Sequence, residues 1–116
     1  MEEMYAEDAL FDVSAVFTDI APMRGKENIR RYWHELRETW AGVRLDPEEV
    51  LDVGDGRYVV GLRLWGRGQR SGAEVAQRFA FLYDVRPEDG KVIRVRMLAD
   101  VGAAISVAES PGSQTA

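Results

Sequence analysis

An arginine, a tyrosine and several tryptophans carry most of the chemistry this sequence offers. The guanidinium of Arg63 cannot lose its proton. With Trp65 two residues on, and Trp33 and Phe81 as further aromatic flanks, it suits the capture of an anionic or carbonyl-bearing ligand. The plainer alternative is a salt bridge or a solvent-facing strand position. Tyr83 can donate a hydrogen bond to a ligand oxygen, although buried tyrosines usually satisfy a backbone carbonyl. Trp33, Trp40 and Trp65 offer stacking surface or simply core. His34 is a general base in the sharp reading and a surface helix residue in the plain one. Asp12, Ser14 and His34 would make a Ser-His-Asp set only by converging, and Ser14 is not on the strand–turn–helix elbow that exposes a nucleophile. Asp52, Asp55, Glu74 and Asp84 read as solvated acids, since metal binding needs oxygen ligands that converge. There is no cysteine and one histidine. Thiolate catalysis, disulfides, cysteine-ligated metals and multi-histidine sites are thereby excluded, and no cofactor is expected.

The elements that must position these groups follow from periodicity. Met1, Met4 and Tyr5 are spaced like the last turn of a helix. Ala9 to Phe17 is β-prone through Leu10, Phe11, Val13, Val16 and Phe17, and Pro22 breaks the loop that follows. Gly25 opens a helix with Glu27 in its first turn. Ile29, Trp33, Leu36 and Trp40, widened by Tyr32, form one apolar stripe of a helix that should end at Gly42. After Asp46-Pro47 come four strand-like runs, over 48–53, 57–67, 74–85 and 91–98. Gly54-Asp55-Gly56 is a strong hairpin signal, and Pro87-Glu88-Asp89-Gly90 is a second turn. Asp100 suits the cap of a short last helix containing Ala103, Ala104 and Ile105. Late strands joined by short turns predict α+β architecture rather than α/β.

A chain of 116 residues, 46% hydrophobic and 30% charged, has the size and composition of one domain with its own core. Its formal net charge of -5 makes nucleic acid a poor partner. The cluster Arg63, Arg67, Arg70 and Arg78 reads as a solvated strand face. The acidic start lacks the apolar run of a signal peptide. No stretch is long enough to span a membrane, so a cytoplasmic location is expected.

Tyr5-Ala6-Glu7-Asp8-Ala9, then a strand, then Met23-Arg24-Gly25-Lys26-Glu27-Asn28-Ile29-Arg30-Arg31-Tyr32-Trp33, resembles the opening of SnoaL-like domains of the nuclear-transport-factor-2-like superfamily. Glu49-Val50-Leu51-Asp52-Val53-Gly54-Asp55 resembles that family's first hairpin. Arg78-Phe79-Ala80 and Gly90-Lys91-Val92-Ile93-Arg94 resemble its last two strands. The resemblance covers nearly the whole chain. It implies a SnoaL-like domain over 1–109, with 110–116 a tail expected to be disordered. It also implies a cone-shaped, curved antiparallel sheet wrapped around a long helix. Related domains carry a complete N-terminal helical segment, and here that helix looks truncated.

By the same resemblance the odd-numbered strand residues face the cone interior: Phe11, Val13 and Ala15; Gly61, Arg63 and Trp65; Phe79, Phe81 and Tyr83; Ile93, Val95 and Met97. A ketosteroid-isomerase base would then fall at Val13 and its acid partner near Phe79. The aspartate of a SnoaL-type polyketide cyclase would fall at Met97. The Asp-Arg-Asp relay of a limonene-type epoxide hydrolase would fall on Trp65, Arg63 and Met97, of which only the arginine is retained. The expected pocket is therefore Val13, Trp33, Arg63, Trp65, Phe79, Phe81, Tyr83, Val95 and Met97. It would bind a small hydrophobic molecule, an anionic one if Arg63 meets it. The rivals are a lyase, isomerase, cyclase or hydrolase with an atypical site on Arg63, Tyr83 and Asp12 or His34, and a protein-interaction domain. Leu62, Leu64, Ala80 and Leu82 make the even set apolar too, and a homodimer packed through the sheet would cover it.

Overall fold

A computed structural model describes residues 4–68 and 72–109, apart from the side chains of Thr39, Trp40 and Ala41. The expected tail over 110–116, and Met1, lie outside the described residues. The chain runs β1 (Tyr5–Asp12), β2 (Met23–Arg24), α1 (Lys26–Thr39), β3 (Trp40–Gly54), β4 (Arg57–Gly68), β5 (Glu74–Val85), β6 (Val92–Leu98) and α2 (Val101–Glu109). The strands form one curved sheet in the order β2-β1-β6-β5-β4-β3. All neighbours are antiparallel except β1 and β6, which are parallel. This is the α+β cone that the order of elements predicts.

Two local expectations are corrected by strand pairing. Tyr5 to Asp8 are not a helix turn but the start of β1, where Tyr5 pairs with Val92. That strand stops at Asp12, and Val13 to Val16 turn back, with the Val16 and Phe17 amides donating to the Val13 carbonyl. The helix ends at Thr39 rather than Gly42, because the backbone of Trp40 already pairs with Gly68 and that of Ala41 with Arg67. Gly42, at φ +64, sits in a break of that register. Pro47 is accommodated within β3 because β3 is an edge strand with a bulge there, so its missing N–H breaks no inner ladder. The Asp55-Gly56 turn is as expected: both residues have positive φ, 57 and 73, which suits the twist of a two-residue hairpin.

Two cores flank the sheet. The inner face gathers Tyr5, Phe11, Leu62, Phe79, Phe81, Val95 and Met97 beneath Ile29, Tyr32 and Trp33 of α1. The outer face gathers Val59, Ala80, Leu82 and Leu98 beneath Ala104 and Ala108 of α2. Leu62 and Leu64 therefore lie on one face and Ala80 and Leu82 on the other. The even-numbered residues do not form one uncovered apolar surface, and the reason for expecting a sheet-to-sheet homodimer falls with that. α2 seats directly over Gly61, where an added Cβ would come within 2.9 Å of Val101 Cγ2.

Asp100 caps α2 as its position predicts: its Oδ1 accepts the Ala103 amide at 2.7 Å. Asp100→Ala should cost about 1 kcal/mol, read as a lower urea midpoint with an unchanged slope. An unchanged midpoint would mean that packing alone holds α2. Among the described residues no helix is long and apolar enough to cross a membrane.

Candidate functional site

Two chambers open between α1 and the inner face. The first, of about 410 Å³, is walled by Val60, Leu62 and Phe81, with Tyr5, Tyr83, Arg37 and Arg44 among its polar residues. The second, of about 400 Å³, has Gln77 and Glu35 among apolar neighbours such as Leu64 and Val75. A neck of about 60 Å³ lies between them. It shares Trp33 and Leu45 with the first chamber and Tyr32 and Leu64 with the second. The two chamber volumes are within the range of small-molecule sites.

α1 delivers Trp33 and Arg37 together because residues four apart share a helix face. Trp33 lies edge-on to Phe11 at 5.7 Å and to Phe81 at 6.5 Å. Its indole Nε1 is buried and has no partner among the described residues. An unmet buried donor costs about 1–3 kcal/mol, so an acceptor brought in by a ligand would relieve it. Burial pushes the Tyr5 phenol up to about 12. Burial, and then the neighbouring Tyr5, raise Tyr83 further. Both phenols stay protonated near neutral pH and can act as donors.

Seven of the nine expected pocket residues join the inner core. Trp33, Phe81 and Tyr83 line the first chamber. Phe79 and Met97 line the neck. Val13 and Val95, both at 0% exposure, are core packed behind the cavity surface. Arg63 and Trp65 are the correction. β4 meets β5 with Leu62 opposite Phe79 and Arg63 opposite Arg78, so its even residues point inward. Arg63 is instead stacked on the Trp65 ring at 4.4 Å on the outer face. Trp65 donates from Nε1 to Asp46 Oδ2 at 2.9 Å, though it also touches the rim of the second chamber. Ala15 is exposed in the turn after β1. Ile93 is 38% exposed, beside a register shift at Val85.

The remaining candidates resolve simply. His34 Nε2 meets Glu38 Oε1 at 3.0 Å, both side chains well exposed. Ser14 Oγ donates to Asp12 Oδ1 at 2.6 Å, closing a local turn and meeting no histidine. Arg67 and Arg78 are paired with Glu74 and Glu48, and Arg70 lies outside the described residues. No group of three or more His, Asp or Glu residues that could hold a metal occurs among the described residues. Sequence reasoning missed Tyr5, Arg37, Val60 and Leu62. The i, i+4 spacing of Trp33 and Arg37 was an available signal for one of them; the others needed the strand pairing.

A family model of the SnoaL-like domain matches residues 1–95. No curated protein matches the sequence. Among solved structures, a protein of ketosteroid isomerase-like fold from Catenulispora acidiphila, in complex with trimethylamine, superposes with a TM-score of 0.73 at 13% identity, over 90% of this chain and 76% of its own. TerC, co-crystallised with polyporic acid, gives 0.71 at 21% identity, over 92% and 82%. A protein from Jannaschia sp. CCS1, assigned by name to the SnoaL-like polyketide cyclases, gives 0.70 at 21% identity, over 94% and 76%. At such identities the likeness speaks for the fold.

Proposed function

The chain belongs to the SnoaL-like domain family, and from that premise we propose that it binds a small hydrophobic molecule in the first chamber of the cone. The observation that carries this is the chamber itself: an apolar space of about 410 Å³ bordered by Tyr5, Tyr83, Trp33 and Arg37. Apolar walls with a few convergent donors are what a ligand site requires. Two neighbours in the fold hold organic molecules, trimethylamine in one and polyporic acid in the other. Among the described residues no carboxylate lines the first chamber, and the one on the second, Glu35, is exposed. Donors without a base suit binding and carbonyl polarisation better than proton abstraction.

Calorimetric titration with the neutral bicycle 2-naphthamide tests the chamber. Val60→Trp, which places an indole in the cavity, should weaken binding at least about tenfold while the melting temperature stays within a few degrees. Equal affinity in the variant would remove the first chamber as the site.

A further inference from the structure

We propose that the ligand is an organic acid whose anionic group is held by Arg37 at the mouth of the first chamber, an inference that rests on the ligand-pocket function above. Arg37 borders two spaces at once: the first chamber and an outer basin of about 260 Å³ on the flank of α1. Tyr5 and Trp33 also border both and so stand at the passage between them. Among the described residues, the linings of the two spaces bring in Lys26, Arg30, Arg37, Arg44 and His34, and no aspartate or glutamate. In a chain with a net charge of -5, a cation in that set that lacks a carboxylate partner among the described residues favours an incoming anion.

The partners of these groups single out one of them. Lys26 is paired with Glu7, Arg30 with Glu27, His34 with Glu38 and Arg44 with Asp46. Arg37 has no carboxylate partner among the described residues. A guanidinium presents a planar fork of donors that matches a carboxylate. The Tyr5 and Tyr83 hydroxyls and the buried Trp33 N–H add donors beside it, while Val60, Leu62 and Phe81 receive the hydrocarbon part. This is the chemistry that the sequence suggested for Arg63, supplied from the helix instead of the strand. Arg37 also lies in the last turn of α1, where a cation meets the negative end of the helix dipole. A purely helix-stabilising arginine would leave ligand preference untouched.

The test compares 2-naphthoate with 2-naphthamide, the same bicycle with and without the charge, by calorimetry on the full chain. Wild type should prefer the acid by about tenfold or more, and this preference should shrink between about 50 mM and about 500 mM salt. Arg37→Gln should bring the two affinities together by weakening the acid alone, and Arg37→Lys should restore part of the preference. Equal binding of acid and amide by wild type overturns the inference and leaves the apolar pocket standing. A preference that survives Arg37→Gln also overturns it. Binding of neither probe overturns both.

Discussion

Replacing Asp84 with alanine should lower the unfolding free energy by about 3 kcal/mol. On the outer face Asp84 sits among three arginines. Its Oδ2 meets Arg94 Nη2 at 2.7 Å and Arg96 Nη2 at 3.7 Å, and its Oδ1 meets Arg57 Nε at 3.4 Å. All four side chains are between 12% and 15% exposed. Burial, then the neighbouring Arg94, holds Arg96 below the usual guanidinium range, and its Nε and Nη2 have no hydrogen-bond partner among the described residues. Removing the shared anion leaves cations that are partly out of water and repel one another. The arrangement is worth little as a net source of stability, yet breaking it is costly, because the remaining charges keep their desolvation penalty. Urea unfolding followed by tryptophan fluorescence checks this. The control is Glu74→Ala, whose exposed pair with Arg67 should matter by less than about 1 kcal/mol. A loss at Asp84 no larger than the control's would mean that water screens the cluster.

Phe11→Ala should cost about 3–5 kcal/mol and also change what the protein can bind. Phe11 is 1% exposed. Its ring centroid lies 5.9 Å from Tyr32, 5.7 Å from Trp33 and 5.6 Å from Phe81, tilted or edge-on to each. It ties β1, α1 and β5 together at one point. It also lines the neck between the two chambers, so the void left by its ring adds to the narrowest part of the interior. The expected result is a lower urea midpoint, weaker near-ultraviolet dichroism from Trp33, and improved binding of ligands longer than two fused rings. A stability loss below about 1 kcal/mol would show that α1 collapses onto the gap. A loss of stability with no change in the longest ligand accepted would mean that the neck is not the limiting passage. Val50, 64% exposed, is the matching control and should tolerate alanine with little effect.

Much of the fold was legible locally, because local forces write it. The stripe Ile29, Trp33, Leu36 marks α1 through its period, Asp55-Gly56 marks a hairpin through positive φ, and Asp100 marks α2 through a side chain that accepts a helix amide. Within β5 and β6 the alternation grouped the odd residues and the family resemblance put them inside; Phe81 pairs with Met97 and Tyr83 with Val95, odd opposite odd, while Ile93 of the same set is 38% exposed. The boundaries of β1 and β3 were not legible. Tyr5 becomes strand by pairing with Val92, and Trp40 by pairing with Gly68, partners far away in sequence.

The sequence by itself determined α1, α2 and the late strands, the α+β class, the family resemblance and an aromatic interior containing Trp33, Phe81 and Tyr83. Only the tertiary structure decided which cation accompanies them. Side chains alternate across a strand, so one residue of register moves every side chain to the opposite face. β4 and β5 pair Leu62 with Phe79, even opposite odd, and that parity turns Arg63 outward onto Trp65. That register goes with burial of Leu62 against the inner core, which cannot be seen in one strand's own alternation. With Arg63 outside, the guanidiniums that border the chamber are Arg44 of β3, paired with Asp46, and Arg37, carried there by the face of α1 that also carries Trp33.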